Sequence, residues 1–136
     1  MLFRSNDTAT TEIYTSPHTL SLHDALPLSI GLYAQRLAQM QPGAKIAILG
    51  SGPIGLCVLL SSLAACDCTV YATDLLDARL AVARRCGAAW TANPKQIDVV
   101  RAIRELEPLG VDFVFECAGQ QETLDQSIEQ IGRAHV

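Results

Sequence analysis

Three glycines at fixed spacing constrain this chain more than any other feature. Gly50, Gly52 and Gly55 follow directly on Ile46-Ala47-Ile48-Leu49, an apolar run with β-branched members and the length of a buried strand. An apolar, alanine-rich segment of helical character comes next. Each glycine has a distinct expected job. Gly50 permits the tight turn out of the strand. Gly52, with no Cβ, lets a pyrophosphate come close to the backbone, and Gly55 lets the first helical turn pack hard against the strand. Pro53 opens the helix without losing a needed donor. The N–H groups at that helix start, with the positive end of its dipole, make an anion site.

Glycine turns are common, so the context decides. A second apolar strand is expected over residues 69–73, and it ends in Asp74. An acid about 20 residues past the glycines, closing the second strand, stands where a dinucleotide's ribose hydroxyls would arrive. The competing reading is a plain βαβ unit with an ordinary glycine turn and a solvated aspartate.

The 136 residues allow one domain with a modest core. The formal charge is −4, with no basic stripe, which argues against a nucleic-acid partner. Residues 46–66 carry no charge and are long enough to cross a bilayer. Gly50, Ser51, Gly52 and Pro53 interrupt that run near its start. A strand, turn and helix explain them and a membrane span does not. No basic start followed by an apolar region marks a signal peptide. The five cysteines, 57, 66, 68, 86 and 117, lack paired C-x-x-C spacing. They read as reduced, mostly buried thiols of a cytoplasmic chain.

Residues 1–29 differ in character from the rest of the chain. Thr and Ser are frequent, Pro17 and Pro27 interrupt them, and apolar periodicity is poor. This stretch and residues 131–136 resemble translated sequencing-adapter read-through. They are expected to be unstructured flanks around a domain at residues 30–130. His18 and His23 lack partners at ligand spacing, so no metal site is expected there.

Within the domain, helices are expected over residues 30–40, 53–65, 75–86 and 96–107, with a last one starting near Gln121. Strands are expected over 46–49, 69–73, 88–92 and 111–116. Leu76, Leu80 and Ala83 fall on one helical face, as do Val99, Val100, Ile103 and Leu106. Gly87 closes the third of these helices. Cys66 stands where a C-terminal glycine is expected, at about 1 kcal/mol if its backbone is left-handed. Strands alternating with helices imply an α/β doubly wound parallel sheet of order 3-2-1-4, with a crevice between strands one and four.

The strand with Gly50-Ser51-Gly52-Pro53-Ile54-Gly55, Asp74 followed five residues on by Arg79, and Glu116-Cys117-Ala118-Gly119 together make a more specific pattern. Residues 30–130 resemble the cofactor domain of zinc-type medium-chain alcohol dehydrogenases, the sorbitol and polyol branch nearest, with threonine dehydrogenase close by. The resemblance implies a partial Rossmann fold, cut before strands five and six. It implies NAD as cofactor, held by Gly50, Ser51, Gly52, Pro53, Ile54 and Gly55 at the pyrophosphate. Ile54 would lie beside the cofactor, Asp74 on the adenosine ribose and Arg79 near the adenosine end. Cys117 and Ala118 would line the crevice. It also implies a small alcohol substrate, a homo-oligomeric enzyme, and a catalytic zinc whose ligands are not in this chain. No catalytic residue is assigned, Glu116 being read as a structural cap, and the fragment alone is expected to be inactive. A non-catalytic dinucleotide-sensing module of a transport or regulatory protein is the alternative. It shares the glycines and the acid, but it is not expected to combine them with the other two motifs.

Overall fold

A computed structural model describes residues 22–121 together with Thr123 and Asp125. The expected flank up to position 21 and the tail at 131–136 lie outside the described residues. In chain order the elements are α1 (Leu22–Ala38), β1 (Lys45–Leu49), α2 (Pro53–Ala65), β2 (Thr69–Thr73), α3 (Asp77–Arg85), β3 (Trp90–Ala92), α4 (Val99–Leu106) and β4 (Phe113–Glu116).

The sheet has four strands in the order β3-β2-β1-β4, all parallel, as the alternation of strands and helices predicts. β1 is central. Ile46 pairs with Val70 on one side and Phe113 on the other, and Leu49 pairs with Thr73 and Glu116. Its four apolar residues are all buried, which is why it reads as a continuous hydrophobic run. The two faces follow the period of two. Ile46, Ile48, Val70 and Ala72 pack with Val58 and Leu59 of α2 and Ala83 of α3. Ala47 and Tyr71 point the other way, onto Val99 and Ile103 of α4.

Several element limits differ from the periodicity, each for a local reason. α1 begins at Leu22, with Pro27 inside it, so it runs across position 29. Its apolar residues Leu32 and Leu37 are exposed. It packs through Gly31 instead, where an added Cβ would lie 2.8 Å from the Cys57 carbonyl carbon and 2.9 Å from the Val58 nitrogen. α3 starts at Asp77 rather than residue 75, because Asp74 Oδ1 accepts the Leu76 N–H at 2.9 Å and holds that stretch in a turn. Leu76 therefore leaves the face of Leu80 and Ala83 and is 53% exposed. α4 starts at Val99 because the Asp98 side chain caps it, accepting the Arg101 N–H at 3.0 Å. Val99 and Ile103 are buried, but Leu106 is exposed in the last turn.

Cys66 ends α2 with φ −152° and ψ 162°, which is extended backbone. The expected left-handed strain does not arise. Gly87, at φ 109°, does take the left-handed closing position. The five thiols are free and half-buried rather than mostly buried. Among the described residues no helix is long and apolar enough to cross a membrane.

Candidate functional site

A cleft of about 540 Å³ opens at the carboxyl ends of the strands. Its floor is the turn between β1 and α2. Gly50 and Gly52 line it from there, Thr73, Asp74, Leu75, Leu76 and Arg79 from the end of β2 and the start of α3, and Pro94 and Lys95 from the segment after β3. Cys117, Ala118, Gln120 and Thr123 close it beyond β4. A parallel sheet delivers its strand ends to one edge, so residues far apart in sequence meet there.

The three glycines answer to different constraints. Gly50 has φ 102°, and a Cβ on it would stand 2.9 Å from the Ala118 nitrogen. A Cβ on Gly55 would run into the Gly50 carbonyl oxygen. Both are dictated by the packing of the protein itself. Gly52 is not. Its φ of −73° suits any residue. The nearest atom to an added Cβ is the Arg79 Nη1, at 3.9 Å. The space that a side chain would fill is open cleft.

α2 begins at Pro53, with no side chain capping it, so its first N–H groups stay open to an anion. Ser51 is buried behind the cleft and does not line it. Its N–H donates to Asp74 Oδ2 at 2.8 Å and its hydroxyl to the Thr73 carbonyl at 3.2 Å, which ties the glycine turn to the end of β2. Pro53 and Ile54 are exposed outside the cleft lining, Ile54 at 38%. Gly55 is buried beneath the turn.

Asp74 is only 7% exposed. Oδ2 accepts from Ser51 and faces the half-exposed Arg79 Nη1 at 3.5 Å, while Oδ1 accepts from Leu76. A carboxylate oxygen has two acceptor sites, so Oδ1 keeps capacity for a hydroxyl.

The lip beyond β4 is built by Glu116. Its Oε1 accepts the N–H groups of Ala118 and Gly119, both at 2.8 Å, and the Thr123 hydroxyl at 2.7 Å. Burial opposes its ionisation. The Thr123 hydroxyl and the N–H groups of Gly119, Ala118 and Gln120 outweigh that and hold the carboxyl below its usual range. Burial pushes the Cys117 thiol up to about 11, with help from the Glu116 charge. At neutral pH Cys117 is a neutral thiol, not a nucleophilic thiolate.

The structure thus brings Gly50, Gly52, Asp74, Arg79, Cys117 and Ala118 to one cleft. Sequence reasoning missed the wall after β3, where Pro94 and Lys95 stand. The signal existed: order 3-2-1-4 sets the end of β3 beside that of β2. Among the described residues no group of three or more His, Cys, Asp or Glu side chains could hold a metal ion.

Comparison with known proteins agrees with this architecture. Residues 53–134 match the zinc-binding dehydrogenase family. The sorbitol dehydrogenase of Bacillus subtilis (strain 168) is 32% identical over 125 residues, which cover 89% of this chain and 35% of that one. The crystal structure of 2R,3R-butanediol dehydrogenase from Bacillus subtilis superposes with a TM-score of 0.73 at 37% identity, covering 77% of this chain and 30% of that chain. A structure described as a zinc-binding dehydrogenase from Sinorhizobium meliloti 1021, bound to NADP, superposes with a TM-score of 0.74 at 37% identity, over 77% of this chain and 32% of that one. The chain therefore spans about a third of the length of the relatives it matches. With the family match running through the cleft and over more than half of the sequence, the chain belongs to the zinc-type medium-chain alcohol dehydrogenase family.

Proposed function

We propose that the cleft binds the pyrophosphate and adenosine of a nicotinamide dinucleotide, NAD in preference to NADP. In this reading the chain is the cofactor-binding part of a cytoplasmic, homo-oligomeric alcohol or polyol dehydrogenase. The supporting observation is Gly52: a glycine that the backbone does not require, facing empty space on the cleft floor. Close approach of a ligand to the main chain gives that position a reason to lack a Cβ. Family membership favours this over a sensor module.

The roles follow from the local chemistry. The open N–H groups after Gly52 hold the pyrophosphate, with Ile54 at the rim. The spare acceptor site on Asp74 takes a ribose hydroxyl, and Arg79 covers the adenosine end. Glu116 holds Cys117 and Ala118 in position as the far lip. When bound, the nicotinamide supplies the hydride acceptor for a secondary alcohol. The described residues offer no zinc ligand set, so no step of this chain is assigned to zinc. With no ligand set among the described residues and no assigned catalytic residue, the chain alone should turn over no alcohol.

Calorimetric titration with ADP-ribose tests the reading. The wild-type chain should bind. Gly52→Ala should lose at least about 30-fold in affinity, roughly 2 kcal/mol, because the methyl group occupies the ligand's space. Its melting temperature should stay level or rise, since alanine restricts the unfolded chain. A Gly52→Ala variant that binds as well as wild type overturns the proposal.

A further inference from the structure

We propose that Asn93 is a positioning residue that fixes the width of the cleft at its adenosine end. The inference rests on the dinucleotide reading of the cleft. Asn93 directly follows β3 and is 8% exposed, and both ends of its amide are hydrogen-bonded. Nδ2 donates to the Leu75 carbonyl at 3.1 Å and to Asp77 Oδ1 at 3.0 Å. Oδ1 accepts the Lys95 N–H at 3.0 Å. Its main-chain carbonyl accepts from Gln96 at 2.9 Å and Ile97 at 3.3 Å.

These bonds join the two walls of the cleft. Leu75 and Leu76 form one side, and Pro94 and Lys95 the other. The last main-chain bond between the two strands β2 and β3, from the Asp74 N–H to the Ala92 carbonyl at 3.3 Å, stops short of these walls. A short side chain with two donors and one acceptor in a single plane is what the junction needs. Aspartate would turn lone pairs toward the Leu75 carbonyl and the Asp77 carboxylate. Alanine would leave Leu75 and Pro94 free to drift apart. A planar base between apolar walls is sensitive to their separation, since small gaps forfeit much of the contact energy. Asn93 touches no ligand itself. It acts through Leu75 and Lys95.

The test is calorimetry on the full 136-residue chain with two probes, AMP and inorganic pyrophosphate. AMP reads the adenosine end, and pyrophosphate reads the glycine turn. Asn93→Ala should weaken AMP about tenfold and leave pyrophosphate binding unchanged. Asp77→Ala removes one arm of the junction at an exposed position and should weaken AMP about threefold. It keeps the question open to measurement if Asn93→Ala does not fold. In Asn93→Asp, the added substitution Asp77→Asn restores a donor and acceptor across the junction, and AMP affinity should partly return. If Asp77→Ala, or a folded Asn93→Ala, lowers both probes together, the loss is not confined to the adenosine end, and that result overturns the proposal. So does AMP affinity that neither Asn93→Ala nor Asp77→Ala moves, or no recovery in the swapped pair. A wild-type chain that binds neither probe sinks the dinucleotide reading itself, and this inference with it.

Discussion

The Asp74 carboxylate faces the Arg79 guanidinium at 3.5 Å, the acid buried and the base half exposed. The acid anchors the glycine turn through the Ser51 N–H, and the base lies nearest the open space at Gly52. One negative and one positive group thus serve the same end of the cleft.

This pair should set a modest preference between cofactors. A 2′-phosphate near Asp74 meets its charge, and two unit charges ~4 Å apart interact by about 4 kcal/mol at a surface dielectric. Arg79 offsets most of that repulsion. A residue of about 1.4 kcal/mol gives roughly tenfold tighter binding of AMP than of 2′,5′-ADP. Arg79→Ala removes the offset, restores the full repulsion of about 4 kcal/mol and should widen the ratio to as much as about 1,000-fold, the gap narrowing in high salt. Asp74→Asn, which keeps acceptor oxygen but loses charge, should bring the ratio to one or below. Titration of both nucleotides into all three proteins checks this. A wild-type ratio already near one would dismiss Asp74 as the selector.

Gly55 should behave opposite to Gly52. A methyl group there collides with main chain, the Gly50 carbonyl, which has no rotamer to escape into. Overpacking against backbone should cost about 3 kcal/mol. Urea denaturation of Gly55→Ala should show the midpoint fall, with that of Gly52→Ala level or higher. Equal midpoints for the two variants would contradict the packing of the turn.

Acid should loosen the lip first. The Glu116 carboxyl sits below its usual range in the folded chain, so its contribution is present above the ordinary value near 4.5 and is lost as pH falls through the depressed one. Ala118 and Gly119 amide signals should shift in that window, before global unfolding. Glu116→Gln should abolish the shift. Lip amides that stay constant until the whole chain unfolds would remove Glu116 from this role.

Alkali should act at the opposite end of the sheet. Tyr71 is held protonated by burial, then by its hydrogen bond to Glu107 and the charge of that carboxylate. Its folded pKa is raised, so its stabilisation is complete below about 10 and declines as pH climbs above the unfolded value. Wild-type stability should therefore fall from about pH 10 upward, and Tyr71→Phe should flatten that slope. Parallel pH curves for both proteins would count against the assignment.

How much of the fold and the cleft is legible in the sequence depends on the range of the interaction. β1, its glycine turn and α2 can be read because the apolar run, the glycine spacing and the proline that mark them lie within a dozen letters. The order 3-2-1-4 follows from the alternation of elements. The starts of α3 and α4 cannot be read from periodicity, because Asp74 and Asp98 hold nearby backbone N–H groups and delay the helix. Leu76 and Leu106 keep the apolar period yet stay exposed. The wall at Pro94 and Lys95 follows only from the strand order, and its tie from Asn93 to Leu75 and Asp77, a bond between side chain and distant loop, has no local signature.

Gly31 has a mechanical consequence. With no side chain between them, α1 and α2 meet backbone to backbone at Gly31 and Cys57. Two rods in such contact cannot slide without a collision of main-chain atoms, so they move as one rigid plate. Pro53 begins the second rod, directly after the turn that floors the cleft. A displacement of α1 therefore bears directly on α2 and on the glycine turn that precedes it. A displacement of the glycine turn and α2 would likewise carry α1 with it.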